Sequence, residues 1–473
     1  MPLTSDREKG AHLLRRFGLG ASEAELNFYL RNGYNSAVDR LVDYETIDEA
    51  FDVDVTSMPQ GVKQVVRMPS VVNWWVLRML MTRRPLQEKM TLFWHDHFAT
   101  SASKVKIPML MLAQNQILRR NAVGNFRQLI SETSKDPAML IWLDNQENFA
   151  GHANENFARE VMELFTLGIG HYTEKDVQEG ARAFTGWSYE RVGAKERAAN
   201  PNMQGGPKFS FKKYKHDAGN KTFLGSSGLF DGDDILNILC DQPRTAEYIT
   251  WKIWSWFVYP DPEVATVKKF ADVFMAHNLE IKPLLKAIMR SPEFVSDRAT
   301  RSVFKNPVDI CVTTMRQLGV GELVGETVRR AGKNVTRGEL LPAFVATDAM
   351  KKMGMYLMYP PDVSGWDGGA AWISSATLLQ RISWVDKLFG KGKGRRSPYE
   401  LSTYNLFGAD PTSAGVVRAL LSVMNVTLKA DKIASLTLAA DKACGGQVTE
   451  ANADETAGAV CRLLFTTAEF QFA

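Results

Sequence analysis

Apolar residues recur at helical spacing along most of the chain. Within residues 5–17, for example, Leu13, Leu14 and Phe17 lie on one side of a predicted helix that Gly18 ends. The same spacing predicts further helices at 22–43 (two, broken at Gly33), 70–83, 85–98, 108–134 (two, split near Gly124), 152–168, from 173 onward, 232–258, 262–277, 281–291 and 375–389. The pattern therefore predicts a mainly α protein, built as a large helical array.

Three stretches interrupt this pattern. Residues 189–231 are rich in Gly, Pro, Asn and Lys, and their alternating segments predict a small β-hairpin insertion with its turn near Asp217–Asn220. Residues 320–350 are predicted to be a looser, polar connection. Residues 354–374 form a predicted Pro/Gly/Trp loop. The fold class is thus mainly α, with a small β-hairpin insertion and long loops.

The length of 473 residues exceeds what one compact core usually holds. Residues 1–389 are predicted to form a main helical domain that carries the insertion around 189–231. Residues 390–396, GKGKGRR, are predicted to be a basic linker. Residues 397–473 are then a small C-terminal helical segment that packs on the main domain.

Composition narrows the class of protein. Apolar residues make up 45% and charged residues 23%, which is typical of a well-packed soluble protein, and the net charge of +4 gives no indication of nucleic-acid binding. No apolar window is long enough to span a membrane, and the N-terminus has no run of signal-peptide type, so the chain as written is expected to be cytoplasmic. The four cysteines are predicted to be free thiols, with a Cys444–Cys461 disulfide as the alternative in an exported protein.

One side of the 152–168 helix is polar. At 100° per residue, His152, Asn156, Arg159, Glu160 and Glu163 fall within a stripe roughly 100° wide, while the other side is apolar. Arg159 and Glu163 are four residues apart and can pair. Such a stripe is typical either of a salt-bridged surface or of the wall of a polar site. It includes two carboxylates, which suit general acid–base chemistry.

Other candidate residues lie outside this helix. His95 and His97 are two apart and point in opposite directions on a helix, so they are unsuited to one metal ion, and His97 has the surroundings of a core histidine. His216 and Asp217, at the predicted turn, are either turn residues or an acid–base pair. The loop residues Trp366 and Asp367 suit a flat polar ligand or simply pin the loop. No nucleotide-binding, nucleophile-elbow or HExxH motif is present.

Several segments match a known family: HLLRRFGLG, LFWHDHFATS, GNFRQLI, KDPAMLIWLDN, the long run NENFAREVMELFTLGIGHYTEKDVQEGARAFTGW, HDAGNKTFLG and PPDVSGWDGG. On these segments the chain resembles the bacterial family catalogued as domain of unknown function 1800. The resemblance implies a mostly helical fold, export in many relatives, and frequent genomic pairing with a family of alkaline-phosphatase or sulfatase type. It implies no reaction. It raises the weight of the polar-site interpretation, because polar residues of the central helix belong to the signature segments.

The leading hypothesis is a hydrolase or lyase that acts on a polar, carbohydrate-like substrate such as a polysaccharide. The predicted catalytic residues are Glu160, Glu163, Arg159, His216 and Asp217, and the predicted substrate-binding residues are His97, Glu155, Asn156, Trp187, Trp366 and Asp367. No cofactor or metal is predicted. One alternative is a binding or scaffold module that partners a protein of alkaline-phosphatase or sulfatase type. The other is a metal-dependent enzyme that uses histidines.

Overall fold

A computed structural model describes residues 3–49, 51–58, 65–190, 193, 207–332, 335–390, 399, 401, 403–407 and 410–473. These residues form mainly α-helices, as the apolar spacing predicts. The helices are α1 (Asp6–Arg16), α2 (Glu23–Leu30), α3 (Tyr34–Val42), α4 (Met68–Met81), α5 (Pro85–His97), α6 (Ala102–Val105), α7 (Pro108–Arg120), α8 (Phe126–Ser134), α9 (Pro137–Trp142), α10 (Glu155–Glu163), α11 (Glu174–Ala183), α12 (Gly232–Cys240), α13 (Pro243–Phe257), α14 (Val264–Ala276), α15 (Ile281–Met289), α16 (Pro307–Gln317), α17 (Val320–Ala331), α18 (Leu341–Lys352), α19 (Ser375–Phe389), α20 (Thr403–Leu406), α21 (Ser413–Val423), α22 (Ala430–Cys444), α23 (Ala453–Leu464) and α24 (Ala468–Gln471).

The prediction of a loose connection at 320–350 is wrong. Helices α17 and α18 occupy most of it. Val320, Val324 and Val328 are buried and follow one another at four-residue spacing, so α17 carries a narrow apolar stripe among charged residues. Because the apolar stripe is only one residue wide, the sequence of this helix resembles that of a polar loop.

The β-structure is small, as predicted, but its pairing differs from the predicted hairpin. Strand β1 (Trp187–Tyr189) pairs with β2 (Phe209–Phe211), and β3 (Lys221–Phe223) pairs with β4 (Ser226–Gly228), both antiparallel. The tight turn therefore lies at Leu224–Gly225, where both residues have positive φ, as a two-residue type I′ hairpin requires. The expected turn at 217–220 is instead tied to α11, because Arg182 binds the carboxylate of Asp217.

Buried apolar side chains form two clusters. One is built largely from α4, α16 to α19 and the C-terminal helices, and the other from α1 to α3, α5, α8 and α10 to α15. Helix α23 packs against α19, which joins the C-terminal helices to the rest of the chain. The predicted linker at 390–396 lies outside the described residues except for Gly390, and the domain boundaries stay a prediction.

Arg16 connects distant parts of the chain. It is buried, and its guanidinium donates to the carbonyl oxygens of Phe257 (2.8 Å), Val258 (2.5 Å) and Ala473 (3.0 Å). The first two carbonyls belong to the C-terminal end of α13, where a cation is favoured by the helix dipole. One side chain of α1 thus fixes α13 and the end of the sequence.

Two further findings concern the whole chain. Among the described residues, no helix combines the length and the apolar character that a membrane span needs. All four cysteines are free thiols, as predicted, and three of them are buried.

Candidate functional site

A cavity of about 500 Å³ lies where the two apolar clusters meet. It is lined by residues from α1, α5 and α13, from the start of α16 and the segment before it, and from the 355–372 loop. Its polar lining residues are Arg15, Arg16, Lys89, Asp96, His97, Lys252, Ser255, Ser302, Asn306, Asp309, Ser364 and Asp367, and its aromatic ones are Phe93, Trp251, Trp256, Phe304, Trp366 and Trp372. The mixture of aromatic walls and a few polar groups is typical of a small-molecule site.

Asp96, on the last turn of α5, is the most unusual carboxylate of this cavity. One of its oxygens, Oδ1, accepts a hydrogen bond from the backbone N–H of Trp366 at 2.8 Å. No other hydrogen bond reaches the carboxylate within the described part of the chain. Burial raises the pKa of Asp96 to about 6, although the Trp366 amide and Lys252 both act to lower it. Asp96 is therefore a carboxylic acid that can gain or lose a proton near neutral pH.

The two histidines beside Asp96 are held separately. His95 is buried, and its Nε2 accepts the backbone N–H of Met358 at 3.2 Å. His97 is buried, and its Nε2 donates to the carbonyl oxygen of Phe165 at 3.2 Å, so Nδ1 carries the lone pair. Burial lowers the pKa of both rings, and that of His97 lies well below its usual range, so both are neutral at pH 7.

The two rings do not converge on one ion. His95 packs against Trp75 and Trp366, whereas His97 packs against Phe93 and Phe165. Among the described residues, no group of three or more His, Cys, Asp or Glu side chains is arranged to hold a metal ion.

The loop that carries Trp366 is attached directly to α5. Gly365 has φ +92°, and a Cβ there would lie 2.7 Å from the backbone oxygen of Asp96, so only glycine lets the loop approach this closely. Trp366 and Trp372 are almost buried, while Trp251 on α13 is 40% exposed. The loop tryptophans thus line the interior of the cavity and Trp251 lies nearer its opening.

The polar stripe of α10 lies elsewhere, and Glu160 and Glu163 do not line this cavity. Arg159 binds Glu174 through two hydrogen bonds of 2.8 Å and also contacts Glu155. The predicted Arg159–Glu163 pair is therefore wrong, because Glu174 at the start of α11 gives the guanidinium a bidentate partner. Glu163 accepts a hydrogen bond from the hydroxyl of Tyr172 instead.

The carboxylate of Glu160 is the one on this stripe with a clearly raised pKa. Glu160 is half-buried, its carboxylate makes no hydrogen bond to the described residues, and burial together with the nearby Glu163 raises its pKa to about 6. Asn156 donates to the carbonyl oxygen of Leu143 at 3.2 Å. His152 is not on the stripe, because Asn154 caps the helix and α10 begins only at Glu155.

The remaining predicted residues, Asp217, His216 and Trp187, contact neighbouring side chains and backbone groups of the protein. Asp217 binds Arg182, which lowers the pKa of Asp217 to about 2, and His216 contacts the carbonyl oxygen and the hydroxyl of Thr185. Trp187 is buried and packs against Phe184. The structure therefore does not place these three residues beside the cavity.

Comparison with known proteins gives one match. Residues 12–472 match the family described as "Protein of unknown function (DUF1800)". The chain belongs to this family. No curated protein and no solved structure matches it.

Three of the segments on which the sequence resembles this family also line the cavity. The segment at 12–20 provides Arg15 and Arg16, that at 92–101 provides Asp96 and His97, and that at 360–369 provides Trp366 and Asp367. Sequence reasoning identified His97, Trp366 and Asp367. Asp96 and Lys252 were not predicted. Asp96 stands between His95 and His97 with no motif of its own, and Lys252 stands in an ordinary amphipathic helix.

Proposed function

We propose that this cavity is the active site of a hydrolase or lyase that acts on a polar, carbohydrate-like substrate by general acid–base chemistry, with Asp96 as the acid or base. The observation that carries the proposal is the state of Asp96. It is a carboxyl group in a cavity, with a pKa of about 6 and with one oxygen that accepts no hydrogen bond from the described residues. A general acid works best when its pKa lies near the pH of the reaction, and the pKa of Asp96 lies near neutral pH.

The geometry supports a defined sequence of proton transfers. The Trp366 amide holds Oδ1, so Oδ2 is the oxygen that carries the proton. Protonated Asp96 gives this proton to the leaving oxygen as the bond to that oxygen breaks. In a hydrolase, the resulting carboxylate takes a proton from water as the oxygen of that water bonds to the carbon that lost the leaving group. In a lyase, it takes a proton from the adjacent carbon as a carbon–carbon double bond forms. In both cases Asp96 returns to its starting state.

The other lining residues fit a saccharide. Trp366, Trp372 and Trp251 offer flat apolar surfaces on which a sugar ring can stack. Asp367 is exposed and has no hydrogen bond or ion pair to the described residues, so it is available as a second carboxylate, whereas Asp309 is engaged by Lys89. Two carboxylates around one bond are the usual equipment of glycoside cleavage.

The first prediction tests Asp96 against the central helix. In a screen of glycosides and polysaccharides, Asp96→Asn is expected to lower kcat/KM by a factor of about 10² to 10⁴, because the amide cannot donate the carboxyl proton. Glu160→Gln is the matched variant, since Glu160 has a similarly raised pKa but lies away from the cavity, and it is expected to retain activity. Thermal melts of both variants check that they fold.

Two outcomes would contradict the proposal. Loss of turnover in Glu160→Gln with retention in Asp96→Asn would place the chemistry at the central helix. Failure of the wild-type protein to turn over any member of the screen would favour the alternative of a scaffold module, which could then be tested by copurification with a protein of alkaline-phosphatase or sulfatase type.

A further inference from the structure

Buried basic side chains lie in the wall of the cavity and behind it. Together they form a set, called here the cation cluster, made of Arg15, Arg16, Lys89, Arg301, Lys305 and Arg381. Arg15, Arg16 and Lys89 line the cavity, and the charges of Arg301 and Arg381 act on their neighbours in the cluster. Asp309 is the carboxylate that faces this cluster, and it pairs with Lys89.

Basic side chains outnumber acidic ones in the cation cluster, although burial lowers the pKa of Lys305 well below its usual range. Within the described part of the chain, none of its members except Lys89 forms an ion pair with an acidic side chain. A buried cation without a counter-charge costs several kcal/mol, so such an excess is unusual unless an anion joins it.

Three members of the cation cluster use their N–H groups to bind another segment of the protein. Arg381, Arg301 and Arg16 donate to oxygens of Gln471, Phe472 and Ala473 in turn, and so hold the end of the sequence in place. Their charge is a by-product of this attachment and does not by itself require a ligand.

Arg15, from the cation cluster, and Lys252, from outside it, do not hold the end of the sequence in this way. Arg15 is 7% exposed, donates only to His12 Nδ1 at 3.0 Å, and leaves its Nε–H without a partner. The ammonium of Lys252, which lines the cavity from α13, makes no hydrogen bond or ion pair with the described residues, and it lies 5.8 Å from the centroid of the Tyr248 ring. Two cations with free donors therefore line the same cavity as Asp96.

We propose that the cavity binds an oxyanion, with Arg15 and Lys252 as donors, and that the substrate is consequently an anionic saccharide that carries a sulfate, phosphate or carboxylate group. This inference rests on the proposed function, and it adds the charge of the substrate to it. Guanidinium and ammonium groups are the usual partners of such oxyanions, and the attraction is strong where water is largely excluded. The anion also supplies the counter-charge that the cation cluster lacks.

The test is calorimetric titration of the full chain with sulfate, phosphate and glucuronate at constant ionic strength. Glucose is the uncharged control, and chloride is the control for an anion without oxygen atoms. One ion is expected to bind per chain. Lys252→Gln and Arg15→Gln are each expected to raise its Kd about tenfold or more, as the loss of a charged hydrogen bond does. Comparison of sulfate and phosphate with glucuronate shows whether the site prefers a tetrahedral group or a carboxylate.

The control variant is Lys268→Gln, because Lys268 is an exposed lysine paired with Asp272 and lies away from the cavity. It is expected to bind sulfate as the wild type does. Lys252→Gln is the decisive variant if Arg15→Gln fails to fold, because Lys252 is only partly buried. Absence of saturable binding, or unchanged Kd values in Lys252→Gln, would overturn the inference.

The outcome is separable from that of the proposed function. Asp96→Asn removes the proposed acid but none of the proposed anion donors, so it should still bind sulfate. Oxyanion binding without turnover in the wild type would contradict the enzymatic proposal and support the anion site. Turnover of neutral saccharides without oxyanion binding would do the reverse.

Discussion

Asp96 is the residue through which pH should act on the proposed activity. The pKa of its carboxyl group is raised to about 6 from an ordinary value of 3.8, mainly by burial. If the protonated form is the active one, kcat/KM should be constant at low pH and fall as the pH rises through about 6, because deprotonation removes the acid. The measurement is a pH–rate profile with the best substrate of the screen.

The neighbouring groups sharpen this expectation. His97 is neutral across the same range because burial holds its pKa well below the usual value, so it adds no second step near pH 6. A profile without a transition near pH 6, or one that keeps the transition in the residual activity of Asp96→Asn, would contradict the assignment to Asp96.

At the scale of elements, the junction of α5 with the 355–372 loop is the point most sensitive to change. Gly365→Ala is expected to displace the loop, because the added Cβ would collide with the backbone of Asp96 in addition to straining a positive φ. Gly170→Ala is the matched control, since Gly170 also has a positive φ, +82°, but open space around it. Denaturation should show a loss about 1–3 kcal/mol greater for Gly365→Ala than for the control.

The same variant has a chemical readout. The Trp366 amide acts to lower the pKa of Asp96, so its withdrawal should move the pH transition of Gly365→Ala to higher pH than that of the wild type. Equal stabilities of the two glycine variants, with an unmoved transition, would show that the loop does not depend on this contact.

The sequence predicts where the helices of this protein lie better than it predicts which strands and side chains pair with one another. Helices such as α5, which begins at Pro85, and α11, which Thr173 caps, carry local start signals, so their positions follow from the chain itself. The strand pairs do not, because the pairing of 209–211 with 187–189 depends on a contact across an intervening segment. Arg159 shows the same limit, since its partner Glu174 lies on the next helix and not one turn away.

At the scale of the whole molecule, Arg16 should be a principal source of stability. Arg16→Lys is expected to lower the free energy of unfolding by about 2–4 kcal/mol, because one ammonium cannot replace a guanidinium that reaches three carbonyl oxygens, and the abandoned carbonyls stay buried. Urea denaturation measures the change. Arg7→Lys, on the same helix but exposed and paired only with Glu23, should cost much less. Similar losses in both variants would count against this role of Arg16.

The candidate site itself is a property of the whole molecule, and this is why sequence identified it only in part. Its lining runs from Arg15 to Ala473, and no local pattern brings Lys252 to Asp96. His97, Trp366 and Asp367 were found because they stand in conspicuous segments. Lys252 stands in an ordinary amphipathic helix, and it reaches the cavity only because α13 packs on α5, as in the contact of Trp256 with Phe93.

The hydrogen bond from Trp366 to Asp96 joins a wall of the cavity to its proposed acid. Since this bond favours the carboxylate over the acid, each protonation of Asp96 must weaken the attachment of the loop by the same free energy. Proton uptake and loosening of the tryptophan-bearing loop are thus two descriptions of one event. In a catalytic cycle in which Asp96 alternates between its two forms, the loop that carries Trp366 would be held firmly when Asp96 is ionised and less firmly when it is protonated. The contact of Trp366 with a bound ligand would change at the same steps.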